Sequence, residues 1–140
     1  MSDIYSTDII TLAQDLRDGS LANPSASVRR VSKLCGSEVE LDLLMKDGIV
    51  TDFAQRVRAC ALGQAAAAIL GRHVVGARCA EIEDARDALH AMLKLDGEGP
   101  NGRFAQLRKL KSVRGYPARH QSVMLAFEAA TEACGLAGTR

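Results

Sequence analysis

The feature that most constrains this chain is a two-residue turn signal between two alternating segments. In the segment before the turn, every second residue is apolar, at Val39, Leu41, Leu43 and Met45. The segment after the turn occupies residues 49–59. The turn itself is Asp47-Gly48, and Asp-Gly between two such segments is typical of a tight β-hairpin because both residues tolerate positive φ angles. The sequence therefore predicts a β-hairpin at the centre of the chain, with Glu40 and Asp42 on its polar face.

Helical periodicity is found on both sides of the hairpin. The first helix is expected to begin after Ser6, a good N-cap residue, and residues 18–32 are expected to form a loop. The helices are predicted at residues 6–16, 61–72, 80–95, 104–110 and 118–134. Strands followed by helices predict an α+β fold, in which a small antiparallel sheet is packed on one side by helices. The sheet has either the hairpin alone or a third strand from the preceding loop. A length of 140 residues suits one domain over residues 1–140.

Charge and composition exclude several classes of protein. The chain has 18 basic and 17 acidic residues and a net charge of +1, which does not favour nucleic acid or a membrane as a partner. The first residues show no basic segment followed by an apolar one, so a cytoplasmic location is expected. The four cysteines, without a Cys-x-x-Cys pair, do not resemble a disulfide framework, and we expect them to be thiols in a reducing compartment.

Two of the cysteines are placed symmetrically about the hairpin turn. Cys35 lies 12 residues before Asp47, and Cys60 lies 12 residues after Gly48. Because a hairpin folds the chain back on itself, we expect the two sulfurs to be neighbours. Cys60 also comes at the predicted start of a helix, where the positive end of the helix dipole favours the thiolate, the form that binds soft metals or attacks sulfur. The alternative is that each cysteine is a small buried apolar residue.

The order of these features resembles the NifU/IscU/SufU family of iron-sulfur cluster assembly scaffolds. The shared order is a strand, an Asp-Gly turn, a strand, a cysteine that opens a helix, and a Tyr-Pro-Ala-Arg segment at residues 116–119 before the last helix. Cys35-Gly36-Ser37 is similar to the family's Cys-Gly-Asp motif, and residues 60–63 are similar to its second cysteine motif. The resemblance covers residues 5–130 and implies a NifU/IscU/SufE-like fold and a [2Fe-2S] cluster.

The chain departs from the family pattern at two motifs. Ser37 stands where the family has an aspartate. If Leu125 is aligned with the leucine of the third cysteine motif, Ser122 takes the position of the third cysteine and Gln121 that of the histidine before it. A shift by one residue makes His120 the histidine equivalent. Neither alignment restores a third thiolate.

The resemblance implies a function in iron-sulfur assembly. The implied ligands of iron or zinc are Cys35, Cys60 and His120, and the first hypothesis is a scaffold that binds metal or sulfur and transfers it to partners. One alternative is a SufU-like zinc-dependent sulfurtransferase, an enzyme with Cys35 as the catalytic residue that accepts a persulfide. Another is a degenerate paralogue that acts only by protein contact. The implied partners are a cysteine desulfurase or other iron-sulfur assembly proteins, with the protein a monomer or weak homodimer.

Two further groups of residues have less specific patterns. Cys79 is predicted to be either a residue of the helix cap region or a packing residue, and Cys134 a packing residue on an apolar face of the last helix. Basic residues cluster around the last loop, at Arg103, Arg108, Lys109, Lys111, Arg114 and Arg119. They form either a solvated face or a docking patch for an acidic partner.

Overall fold

A computed structural model describes residues 6–34 and 36–138 of the chain. Two 3₁₀ segments, Gly102–Gly115 and Pro117–Arg119, lead into the last helix. The strands and α-helices are, in chain order, α1 (Thr7–Gln14), β1 (Ala26–Val31), β2 (Glu38–Lys46), β3 (Ile49–Arg58), α2 (Ala61–His73), α3 (Cys79–Lys94) and α4 (His120–Gly138). The predicted α+β class is confirmed, whereas the single-domain assignment stays a prediction.

The sheet has three antiparallel strands in the order β1-β2-β3. Strands β2 and β3 are joined by Asp47 and Gly48, whose φ angles are 55° and 79°, so the predicted hairpin turn is confirmed. Strand β1 lies within residues 18–32, and the prediction of a loop over that whole segment is wrong. The apolar signal of β1 is weak because it is an edge strand that buries only Ala26 and Val28.

Helices α2 and α4 pack against the sheet. Three of the alternating apolar residues of β2, Val39, Leu41 and Leu43, are buried as predicted, and the fourth, Met45, is half-buried. Between the helices, the rings of Phe104 and Phe127 meet edge to face with 5.3 Å between centroids. The core therefore fixes the start of α2 and the start of α4 relative to the sheet.

Asp42 lies on the opposite face of the sheet, yet it is buried. Its carboxylate accepts hydrogen bonds from the Leu21 backbone N–H at 3.1 Å, from the Ser27 hydroxyl at 2.8 Å and from the Arg56 guanidinium at 3.2 Å. Burial raises the pKa of Asp42, but the hydrogen bonds from Arg56, Leu21 and Ser27 outweigh it and hold that pKa below its ordinary value. Arg56 also donates to the Gly19 carbonyl at 2.8 Å, so this pair holds the loop before β1 against the sheet.

Several arginines around the last loop are bound within the fold. The Arg103 guanidinium donates to the carbonyls of His73, Val75 and Gly76 and pairs with Glu81 at 3.1 Å. It thereby supplies donors to backbone carbonyls that follow the last turn of α2. Arg114 likewise donates to the carbonyls of Met92 and Gly97, and Arg108 to that of Pro100. These three side chains connect elements of the fold, yet Arg103 and Arg108 are also exposed, so the solvated face or docking patch around the last loop stays a prediction.

Cys79 and Cys134 are joined by a disulfide bond. The expectation that all four cysteines are thiols is wrong for this pair, because α3 packs against α4 and brings residues 55 positions apart in the chain into contact. The burial predicted for Cys134 is confirmed, with 1% of the residue exposed. Among the described residues, no helix is both long and apolar enough to span a membrane.

Candidate site at the start of helix α2

Cys60 lies between β3 and α2 and is the N-cap residue of the helix. Its backbone is extended, with φ of −68° and ψ of 170°, and its side chain makes no capping hydrogen bond. The sulfur is therefore available for other contacts at the positive end of the helix dipole. Cys60 is half-buried, and it is the free cysteine among the described residues.

Two buried serine hydroxyls form a row of contacts that begins at the Cys60 sulfur. The Ser122 Oγ lies 3.4 Å from Cys60 Sγ and 3.2 Å from Ser37 Oγ. Both serines are buried, Ser122 in the first turn of α4 and Ser37 just before β2. Side chains from three separate parts of the chain therefore meet at one end of the sheet.

Gly63 allows α2 and α4 to approach each other at this point. A Cβ atom at residue 63 would lie 2.8 Å from the Ala59 Cβ and would collide with the Ser122 hydroxyl. Only glycine avoids this overlap. None of the expectations from the sequence concerns the packing of Gly63, although a glycine in the first turn of an alanine-rich helix, one turn after Cys60, is a signal for close packing.

The loop between β1 and β2 lies at the same end of the sheet. It is closed by hydrogen bonds of 2.8 Å from Ser32 N to Ser37 O and from Gly36 N to Ser32 O. The Ser32 hydroxyl also donates to the Gln121 side chain in α4. Cys35 belongs to this loop but lies outside the described residues, so its predicted proximity to Cys60 stays a prediction.

His120 is directed away from the contact between Cys60 and Ser122. Successive residues of an α-helix are about 100° apart, so His120 and Ser122 lie about 200° apart around α4. The His120 Nε2 lies 2.9 Å from the Val113 carbonyl and 3.2 Å from the Arg114 carbonyl, which makes it the protonated, donating nitrogen. The structure thus brings Ser122, not His120, to Cys60. The role of His120 as a metal ligand stays a prediction.

Glu38 is the carboxylate next to Ser37 in the chain, and both of its oxygens are engaged. The Arg29 guanidinium donates to them at 3.0 and 2.9 Å. These hydrogen bonds hold the pKa of Glu38 below its ordinary value. Binding a metal would require Glu38 to leave Arg29.

The donors around Cys60 do not by themselves make a four-ligand metal centre. The described contacts supply one thiol and two hydroxyls, and a hydroxyl is a poor ligand for a soft metal. No group of three or more histidine, cysteine, aspartate or glutamate side chains at metal-binding distance occurs in residues 6–34 and 36–138. A metal or cluster held here would need Cys35 and a further donor.

Comparisons with known proteins agree with the fold. No protein-family model matches the chain. The chain is 29% identical to the iron-sulfur cluster assembly scaffold protein IscU of Thermotoga maritima, over 93% of this chain and 92% of that protein. It is 45% identical in sequence to the N-terminal part of a nitrogen-fixing NifU-like protein from Brucella abortus. The crystal structure of that protein matches the fold with a TM-score of 0.96, over 99% of this chain and 96% of that one.

A third relative agrees in fold. It is a scaffold candidate of the SUF iron-sulfur system from Fervidobacterium islandicum, 21% identical, with a TM-score of 0.85 and coverage of 94% of this chain and 96% of that one. The order of elements and these likenesses agree with one another. The chain belongs to the NifU/IscU-like family of iron-sulfur cluster assembly scaffold proteins.

Proposed function

We propose that this protein is an iron-sulfur cluster assembly scaffold that receives iron, zinc or sulfur on Cys35 and Cys60 and passes it to partner proteins. The observation that carries the proposal is the position of Cys60 Sγ at the start of α2, 3.4 Å from the Ser122 hydroxyl. Iron, zinc and a [2Fe-2S] cluster are here the cargo of the protein. A cytoplasmic location and a monomeric or weakly dimeric state belong to the same proposal.

The geometry supports Cys35 as the second thiol. Glu38 pairs with Arg58 across β2 and β3, and Cys60 follows Arg58 by two residues. The hydroxyl of Ser37 reaches the same Ser122 that contacts Cys60. Ser122 therefore contacts both Cys60 and Ser37, and Ser37 is the second residue after Cys35 in the chain.

The same end of the molecule offers a contact surface for a partner. Leu34 is 75% exposed and Val31 is 44% exposed, both close in sequence to Cys35. Exposed apolar side chains beside a reactive residue favour protein contact, and Lys33 adds a positive charge between them. A cysteine desulfurase or another assembly protein would dock here to deliver its cargo.

The test is loading of the protein under anaerobic conditions with ferrous iron, cysteine and a cysteine desulfurase. Iron, zinc and acid-labile sulfide are then measured per chain for the native protein and for Cys35→Ala and Cys60→Ala. Cys79→Ala, loaded with reductant present, is the matched control because it removes a thiol from elsewhere in the fold. We expect both site variants to lose most of the load and the control to retain it. Equal loading of all four proteins would contradict the proposal.

A sulfurtransferase role is a second candidate, favoured by the scarcity of metal donors around Cys60 among residues 6–34 and 36–138. In that case the native protein binds little iron, and mass spectrometry after incubation with the desulfurase finds one added sulfur atom on the Cys35 peptide. A native chain that takes up neither metal nor sulfur would instead indicate a paralogue that acts through protein contact alone.

A further inference from the structure

The Cys79–Cys134 disulfide is a second sulfur centre, separate from the Cys60 site. Cys134 and Ser122 are 12 residues apart on α4, which corresponds to about 18 Å along the helix. Cys79 is the first residue of α3, so the bond joins the start of one helix to the last turns of another. The assembly function proposed above makes no use of this pair.

The two sulfurs differ in their exposure to solvent. Cys134 is 1% exposed, whereas Cys79 is only half-buried. A thiolate from solution therefore reaches the Cys79 sulfur first. Once the bond opens, Cys79 lies at the positive end of α3, where the helix dipole favours its thiolate, the form that attacks another disulfide.

Met45 lies against both cysteines. Its Sδ is 3.8 Å from Cys79 Sγ and 3.7 Å from Cys134 Sγ, and its side chain is half-buried. The methionine therefore covers part of the bond without sealing it. We expect this flexible side chain to slow the approach of a reductant to the disulfide.

We infer that Cys79 and Cys134 are a redox-reversible pair that exchanges with small thiols and disulfides of the glutathione class. For oxidation, the Cys79 thiolate attacks the disulfide reagent, forms a mixed disulfide and displaces one thiolate. The Cys134 thiol loses its proton and attacks the Cys79 sulfur, and the second thiolate leaves. One reagent disulfide is thus reduced to two thiols while the protein pair loses two electrons and two protons. Reduction follows the reverse path.

The oxidised pair stabilises the fold. The bond links residues 55 positions apart, and closing a chain segment of that length restricts the unfolded state strongly. Reduction is expected to lower the thermal midpoint by on the order of 10 °C in a domain of this size. The Cys60 site at the other end of α4 is expected to keep its reactivity at temperatures below that midpoint.

The experiment incubates the full chain in glutathione buffers that range from fully reduced to fully oxidised. Exchange is then stopped with acid, the chain is labelled with a maleimide in denaturant so that the buried Cys134 thiol can also react, and the labelled cysteines are located by peptide mass spectrometry. We expect Cys79 and Cys134 to be labelled together in reduced buffer and to be protected together in oxidised buffer, with Cys60 labelled in reduced buffer as well. If the pair is labelled in every buffer, or protected in every buffer, the inference is wrong.

Variants separate reversible exchange from simple packing. Cys79→Ser prevents the bond, and its thermal midpoint should match that of the reduced native protein and not respond to oxidant. Met45→Ala should speed reduction several-fold by uncovering the bond, whereas Met45→Leu, of similar volume, should leave the rate near the native one. Equal rates of disulfide reduction in Met45→Ala and the native protein would show that Met45 does not limit access to the bond. A thermal midpoint of Cys79→Ser that still responds to oxidant would show that the redox response does not come from Cys79 and Cys134.

Discussion

Ser122 places its hydroxyl 3.4 Å from the sulfur of Cys60, in the first turn of α4. A thiol at residue 122 would therefore lie next to Cys60 without any change in the backbone. If Leu125 is aligned with the leucine of the family's third cysteine motif, residue 122 takes the position of the third cysteine, and the proposed site then has a hydroxyl there in place of a thiol.

Ser122→Cys is expected to strengthen binding of zinc or cobalt. The substitution replaces a hydroxyl with a thiolate, and thiolates are the preferred ligands of these metals. We expect an increase in affinity of about tenfold or more, by analogy with the effect of altered ligand surroundings. The affinity is measured by anaerobic titration with cobalt, in which the thiolate-to-metal absorption band reports binding.

Ser122→Ala is the control, since it removes the hydroxyl and adds no ligand. Its cobalt affinity should stay at or below that of the native chain. If Ser122→Cys binds no more tightly than Ser122→Ala, residue 122 does not belong to the metal site.

Gly63→Ala is expected to destabilise the protein. The added methyl group would lie 2.8 Å from the Ala59 Cβ and would collide with Ser122, so α2 and α4 must separate. Such overpacking costs about 1–3 kcal/mol of the free energy of unfolding, measured by urea denaturation.

Gly135→Ala is the matched control within α4. No atom lies within 4 Å of the Cβ position at residue 135, and alanine is a better helix former than glycine by roughly 0.5–1 kcal/mol. We therefore expect Gly135→Ala to stabilise the protein. A similar free energy of unfolding for the two variants would show that the packing of Gly63 is not tight.

Asp42→Asn is expected to lower the stability of the fold at neutral pH by about 1–2 kcal/mol, because the half-exposed Arg56 loses its buried counter-charge. Asp87→Asn, which changes an exposed carboxylate paired with Arg86, should cost less than about 0.5 kcal/mol. Urea denaturation at pH 7 compares the two. Equal effects would argue against a structural role for Asp42.

The Asp42 interaction also predicts a dependence on pH. Its pKa in the folded protein is lower than in the unfolded chain, so its stabilising contribution is complete above the unfolded value of about 4 and is lost as the pH falls through the folded value. The native protein should lose more stability than Asp42→Asn over this acidic range. Parallel pH profiles for the two proteins would refute the assignment.

Arg103→Ala is expected to destabilise the region between α2 and α3. The guanidinium donates to three backbone carbonyls and pairs with Glu81, and removing it leaves those acceptors without these donors. We expect a loss of about 1–3 kcal/mol, with Arg103→Lys recovering only part of it because one ammonium cannot reach all four partners.

Hydrogen exchange of α2 and α3 measures where the effect of Arg103→Ala falls. Arg119→Ala is the comparison, since no ion pair of Arg119 is found in the part of the chain that the structure describes. Equal protection in both variants would contradict a capping role for Arg103.

The hairpin, the α-helices and the position of Cys60 at the start of α2 are predictable from the sequence alone. These features are encoded by local patterns: the period of two before Asp47-Gly48, the period of 3.6 in α2, and a cysteine at the start of a helix. Strand β1 was predicted only as an alternative, because an edge strand buries few residues and gives a weak pattern.

The tertiary structure decided which residues meet. Whether Ser122 or His120 faces Cys60 depends on how α4 is rotated against α2, and that rotation is set by packing at Gly63 and in the core. The Cys79–Cys134 bond likewise follows from the packing of α3 on α4. Contacts between residues far apart in the chain depend on the positions of whole helices, which local sequence patterns do not specify.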